Sequence, residues 1–412
     1  MLFLLTLLVF CNQNAFSSII RANNEETLSA AATTCSFDPF SGGSPAPLLL
    51  QETSFLYPSG AGIRNIVLNA KESVDFACPG GTLVLANTKS SSSVVTATCV
   101  SGTTFTINSQ SYTWSQIQCS ANPTSTVQLT GNSCEADGSE IEIGYSVATN
   151  RFIRTILICF NTTNESPLYT YYDLIPAIDQ QITGTPRPSF SQGSGIFSMS
   201  SVNTYYTQAK QAVTVNELLG LPSDSTTYVN SKTNYFLARG HFTARADFFY
   251  ASQQNSTFFY QNCNPQWQTF NGFNWEKVET DVRDYAANNN VHLQVYTGPY
   301  GVTTLPHETT GVAVPLYLYN SGNTKALPVP EIYWKVVYNP SNHLGVVLIG
   351  VNNPYKNATE IDKFCTDVSS SLSWLTWEKD NQARGFSWAC EVADFRKTVN
   401  HFPEFKVTGL LK

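Results

Sequence analysis

Arg239-Gly240-His241, with Asn271, Glu279 and Arg283 downstream, sets a base, a neutral oxygen, a carboxylate and guanidinium groups along one stretch of chain. An imidazole with an ordinary pKa of about 6.5 is mostly neutral near neutral pH, so His241 can take a proton from water. Gly240 before it permits a turn that brings the backbone close to a substrate. The planar fork of Arg239 suits a phosphate. Asn271 offers one neutral oxygen to a hard cation such as Mg²⁺, which keeps much of its water and accepts further oxygens from a phosphate. An asparagine ahead of a helix is equally a common cap, and composition does not separate the two. His292, His307, His343 and His401 have no comparable neighbours and read as structural or surface residues.

The elements that must hold these groups are legible around them. Trp275 to about Ala287 has helical spacing, with Trp275, Val278, Val282 and Tyr285-Ala286 on one stripe. At 100° per residue Glu279 falls about 40° and Arg283 about 80° from Trp275, at the edge of that stripe. There they either reach a cleft or form a surface i,i+4 ion pair worth only a few tenths of a kcal/mol. Tyr235-Phe236-Leu237 leads into the His241 segment as a strand.

The window Leu237-Ala238-Arg239-Gly240-His241-Phe242-Thr243-Ala244-Arg245-Ala246-Asp247-Phe248 resembles the signature of the DNA/RNA non-specific endonucleases. These are secreted, metal-dependent nucleases of the ββα-metal, or His-Me finger, type. A second window resembles the family's other motif in order and spacing: Asn262-Cys263-Asn264-Pro265-Gln266, then Phe270-Asn271-Gly272-Phe273-Asn274-Trp275, then Glu279 and Arg283. Within the family the chain looks most like the insect-type secreted double-stranded RNA nucleases. The resemblance implies His241 as the base, Asn271 as the direct metal ligand, and Glu279 on metal-bound waters. It implies Arg239 and Arg283 on phosphate oxygens, Asn262 at the substrate side in support of the site's polar network, and Arg187 as a substrate-side residue, although the stretch around Arg187 is short and loosely matched and reads equally as a loop arginine. Mg²⁺ is the implied cofactor, with Mn²⁺ as a substitute. One position departs from the pattern: Ala238 stands where the family usually has Asp, which touches fine tuning rather than the base, ligand or clamp.

Composition narrows the setting. The net charge of −7 disfavours a stoichiometric nucleic-acid binder, which grips by releasing counterions and is normally basic. It suits a turnover enzyme that needs a few arginines and a cation at one phosphate. Met1 to Cys11 is almost wholly apolar, and Ala15-Phe16-Ser17 offers a signal-peptidase site, so residues 1–17 read as a leader. That run is too short to cross a bilayer and no later stretch is long enough, so no membrane role is expected. Nine cysteines follow the leader without zinc spacing, which points to disulfides and secretion. Cys365 and Cys390 are expected to pair, leaving Cys263 as the odd thiol or paired to the N-terminal part. Sequons begin at Asn161, Asn164, Asn255 and Asn357, and about half are expected to carry sugar.

Residues 18–165 are rich in Ser, Thr, Gly and Asn, hold six cysteines and no histidine, and read as a small disulfide-rich β domain of open role. Ile141–Tyr145 and Ile153–Ile158 alternate like short strands there. Residues 166–412 read as an α+β nuclease domain with a largely antiparallel sheet. Within it Lys210–Leu221 is helical, Val291–Tyr296 alternates, and Ile332–Tyr338 and Val346–Ile349 read as deeply buried strands. The expected activity is Mg²⁺-dependent hydrolysis of double-stranded RNA, RNA and DNA to 5′-phosphate products. The rival is a secreted nucleic-acid-binding protein that kept the fold without catalysis, against which the intact His241, Asn271 and Glu279 stand. Oligomeric state is not legible.

Overall fold

The computed structural model describes residues 34–322 and 324–412, so the leader expected at 1–17 lies outside the described residues. A nine-stranded sheet organises most of the chain. Its strands are β1 (Thr126–Cys134), β2 (Gly138–Ala148), β3 (Arg151–Asn161), β4 (Ser166–Leu174), β7 (Leu293–Val302), β8 (Pro330–Asn339), β9 (Leu344–Val351), β10 (Ser387–Cys390) and the short β11 (Gly409–Leu410). β5 (Leu237–His241) and β6 (Cys263–Trp267) form a separate hairpin. The first eight lie side by side in that order, each antiparallel to its neighbour; β11 alone runs parallel, beside β9.

Both faces of the sheet's centre are covered, which explains the unbroken apolar runs of β8 and β9. Tyr333, Val337, Val346 and Leu348 face one core, while Trp334, Val336, Val347 and Ile349 face another. The first core receives the helix α3 (Glu276–Asn288) through Trp275, Val278, Val282 and Ala286, the stripe expected from the sequence. The helix α1 (Gln208–Leu219) forms where helical spacing placed it and stops at Gly220, whose φ of 70° is open to glycine at little cost. Around α3 the chain near 374–385 is tied down by Asp281, which accepts from the Thr376 N–H at 2.7 Å, and by the Asn274 amide, which donates to the Gly385 carbonyl at 2.7 Å.

The N-terminal part has its own core. A six-stranded sheet within residues 48–113 surrounds Phe37, Phe76, Phe105 and Trp114, stapled by Cys35–Cys99 and Cys78–Cys119. The structure moves the change of layer from 165 to about 126, because β1 to β4 form one continuous sheet across the expected boundary. The reason is local: β1 is a largely exposed edge strand, so its polar composition matches the preceding region although its hydrogen bonds belong to the large sheet. Cys134–Cys159 accordingly joins the β1 end to β3. No helix among the described residues is long and apolar enough to cross a membrane.

Cys365 and Cys390 are bridged across 25 residues, and Cys263 is a buried free thiol whose pKa burial pushes up to about 12. In the chain-entropy picture a loop of this length is worth roughly 3 kcal/mol. Replacing both Cys365 and Cys390 with Ser should therefore lower the thermal midpoint by several degrees. Alkylation of the folded, unreduced parent should leave Cys263 unlabelled and label it only after denaturation. Labelling of Cys365 or Cys390 in the denatured, unreduced parent would contradict the bridge.

Candidate functional site

β5 (Leu237–His241) and β6 (Cys263–Trp267) form an isolated antiparallel pair in which Gly240 faces Asn264 and His241 faces Cys263. Gly240 serves a different end from the turn expected of it. It lies within the strand, its φ is not positive, and a Cβ there would meet the Gln266 Cβ at 2.4 Å. Close packing of the hairpin, not a turn, requires glycine. The following segment is held to the large sheet by a polar seam. Lys335 Nζ donates to Thr297 Oγ1 at 2.8 Å and reaches the Phe242 carbonyl at 3.4 Å, while Thr243 Oγ1 donates to Thr170 Oγ1 at 2.9 Å. Asn262 completes this anchor. Its Nδ2 donates to the Thr243 and Thr257 carbonyls and its Oδ1 accepts from the Thr243 N–H, all within 3.0 Å. It is wholly buried, so the structure corrects the substrate-side place expected for it: Asn262 holds the His241 segment in position.

Alternation along β5 puts Arg239 and His241 on one face. Phe190 bridges them, its ring 5.1 Å from the imidazole and 5.6 Å from the guanidinium carbon of Arg239. Phe258 packs edge-on to His241 at 5.2 Å. His241 Nε2 is enclosed and has no hydrogen-bond partner. Burial together with the nearby charge of Arg187 and Arg245, partly offset by Asp247, pulls the imidazole down to about 4. Arg239 donates to Tyr260 Oη at 3.1 Å and Asn203 Oδ1 at 2.7 Å. Both partners are neutral, so its charge is left uncompensated.

Asn271 follows Phe270, whose ring fills a slot between two strands of chain. A Cβ at Gly350 or Gly385 would come within 2.4 or 2.5 Å of it. Residues Asn271–Trp275 form a π-turn that continues directly into α3, a wide turn of the kind often found at functional sites. The cap reading of Asn271 does not hold, because its side chain makes no capping bond. Its Nδ2 donates to Gln268 Oε1 at 3.2 Å, and among the described residues no donor reaches its Oδ1.

Glu279 and Arg283 do not form an ion pair with each other among the described residues. Arg283 donates instead to Asp247 Oδ1 at 2.8 Å and to Thr280 Oγ1 at 3.0 Å. Arg283 is thus held on a carboxylate, with 14% of its side chain exposed. Tyr172 Oη donates to the second oxygen of Asp247. Against its burial, the carboxylates of Asp247 and Glu279 keep Arg283 above its ordinary range. Burial and the negative charge of Asp247 push Glu279 up to about 7, eased by Lys335 and Arg283. Burial likewise draws Lys335 down. Asp247 and Lys335 had no role assigned from sequence, though both carried a signal. Asp247 stands six residues after His241 in the matched window, and Lys335 is a lone charge inside the apolar run Ile332–Tyr338. Arg187 is exposed, and its charge acts on His241.

The residues thus divide into a hairpin face that carries the half-buried Arg239 and the neutral His241 imidazole with the exposed Arg187 nearby, and an enclosed charge cluster of Asp247, Arg283, Glu279 and Lys335. Comparison with known proteins gives this arrangement its context. The family model for DNA/RNA non-specific endonuclease matches residues 137–395. A salivary endonuclease of Lutzomyia longipalpis is 27% identical over 346 residues, covering 83% of this chain and 76% of the relative. Salivary protein Tsal1 of Glossina morsitans morsitans is 22% identical, with 71% of this chain and 72% of the relative covered. A salivary endonuclease of Culex quinquefasciatus is 24% identical, with 71% and 75% covered. The matched span takes in the hairpin, α3 and most of the large sheet, and the chain belongs to the DNA/RNA non-specific endonuclease family.

Proposed function

We propose that the chain is an extracellular, Mg²⁺-dependent endonuclease that hydrolyses double-stranded RNA, RNA and DNA, with His241 as the general base. The observation that carries this is His241 Nε2, enclosed and without a partner on the same strand face as the uncompensated Arg239. An unsatisfied buried nitrogen is costly, so its persistence favours a role in chemistry. The succession of hairpin and helix supports the ββα-metal reading, and four disulfides with salivary relatives support secretion after removal of residues 1–17.

The donor set fits a hard divalent cation. Asn271 Oδ1 has no protein donor, and Glu279 is an enclosed carboxylate whose charge a nearby cation would restore. Asn271 would hold the ion directly and Glu279 through its waters, and the bound ion would relieve charge on the phosphoryl and leaving oxygens. Arg239 and Arg187 take phosphate oxygens, and His241 Nε2 receives the proton of the attacking water. The rings of Phe190 and Phe258 flank the imidazole at 5.1 and 5.2 Å and shield it from bulk solvent. Asp247 orients Arg283, and Arg283 and Lys335 limit the rise that burial and Asp247 impose on Glu279.

His241→Ala should lower kcat by roughly 10²- to 10⁴-fold with little change in KM or folding. Because attack by water expels the 3′-oxygen, products should carry 5′-phosphate ends, and 2′-O-methyl RNA should still be cut. A 2′,3′-cyclic phosphate product would refute the mechanism.

Asn271→Ala should raise the Mg²⁺ concentration needed for half-maximal rate, and chelation by EDTA should silence the parent until Mg²⁺ is returned. Cleavage that continues after thorough chelation would remove the metal from the reaction.

The pH dependence follows from opposite shifts. His241, lowered to about 4, stays neutral with its lone pair free through pH 5 to 8. Glu279, raised to about 7, takes up a proton as pH falls below neutrality and loses the charge that holds metal-bound water. The acid limb of kcat/KM at low Mg²⁺ should therefore lie near neutrality and be absent from the residual activity of Glu279→Gln. NMR titration of His241 should give a midpoint well below the ordinary histidine value, moving upward in Arg187→Gln. A His241 midpoint at or above about 6.5 would contradict this assignment.

A further inference from the structure

Two cavities flank residues 185–194, the segment that carries Arg187 and Phe190. One, of about 520 Å³, lies between Phe40, Pro45 and Ala46 of the N-terminal part and Arg187 and Tyr250 opposite. The other, of about 660 Å³, runs between residues 122–127 and Ser189, Ser191 and Phe258. Asn122, Pro123, Pro188 and Asn255 border both, so the two make one trough with a waist. Each is of the size that holds a molecule rather than a few waters, in the range of about 300–1,000 Å³.

The lining is unusual for this chain. Of its 30 acidic residues none borders either cavity, and the one charged residue that does is Arg187. The remaining polar groups are Ser, Thr and Asn side chains, which donate to phosphate and sugar oxygens without reading sequence. The trough also meets the candidate site at two points. Arg187 acts on the charge state of His241, and Phe258 packs 5.2 Å from its ring.

We propose that this trough carries the polynucleotide strand leading away from the scissile phosphate, which makes the N-terminal β region one wall of the substrate path. The inference rests on the nuclease reading of His241 and assigns the N-terminal region its part in it. A carboxylate-free channel with a single arginine near the reacting phosphate guides a polyanion while letting it leave, as turnover requires. The grip comes from the backbone of the nucleic acid, so the N-terminal wall adds affinity for length and not preference for sequence.

The test places negative charge on the wall far from the chemistry. Ala46 and Asn122 are exposed, so the double variant Ala46→Glu/Asn122→Glu should fold as the parent does. Its KM for a long polynucleotide should rise by roughly tenfold with kcat held within about twofold. The same two carboxylates at Val67 and Ser111, exposed positions bordering neither cavity, should leave both constants unchanged. A double variant with the parent's KM, or a control pair with an equal rise, overturns the trough. A parent that cleaves no polynucleotide overturns the nuclease reading itself. Asn255 is the acceptor of a sequon at the waist, so sugar is the competing occupant. Asn255→Gln should leave KM within about twofold of the parent's; a tenfold fall would show that the sugar fills the trough in the parent and overturn the proposal.

Discussion

The buried carboxylate of Asp247 is the contact on which the rest of the site depends. One oxygen accepts from Arg283 on α3 and the other from Tyr172 on β4, while its own backbone follows the His241 segment. Helix, sheet and hairpin exit therefore meet at a single enclosed anion. Removing one partner of such a pair leaves an uncompensated charge, at a cost of about 3–5 kcal/mol, which is why the geometry is held so firmly. Lys335 adds a second enclosed cation on the same face of the sheet as Tyr333, so two positive and two negative groups balance behind the exposed residues.

That balance separates local from global charge. The chain as a whole is acidic, yet the carboxylates near the site are enclosed with cations of their own, whereas Arg239 has only neutral partners. Around the imidazole the cations prevail. Burial and the charges of Arg187 and Arg245 lower the affinity of His241 for a proton, so the ring is neutral at neutral pH.

Much of this was legible in the sequence, for identifiable reasons. The stripe Trp275, Val278, Val282 and Ala286 is set by helical periodicity, and β8 and β9 by unbroken apolar runs that only a doubly covered strand can bear. The pairing of Cys365 with Cys390 followed from their being the only cysteines in that stretch. What escaped was set by contacts distant in sequence. Asn262 is a polar residue whose bonds all turn inward to Thr243 and Thr257, and nothing in its neighbours announces that. Arg283 finds its carboxylate partner 36 residues away, in a segment that its own neighbours in sequence do not indicate. The layer change near 126 was hidden because an exposed edge strand has the composition of a loop-rich region.

Gly240 and Ala238 show how the hairpin itself constrains the chemistry. The Gln266 side chain lies against Gly240 from the facing strand, and both of its polar atoms are enclosed without partners. A carboxylate at position 238, directly opposite Gln266 in the register, would add charge beside that crowded amide. Alanine there removes a group that would need its own compensation and leaves Arg239 free of a neighbouring anion. The departure from the family's usual residue is then consistent with the rest of the site, in which the enclosed carboxylate of Asp247 is paired with Arg283 while Arg239 has only neutral partners. The two arginines differ in their work: the paired one ties helix to hairpin, and the other keeps its charge free of an anion.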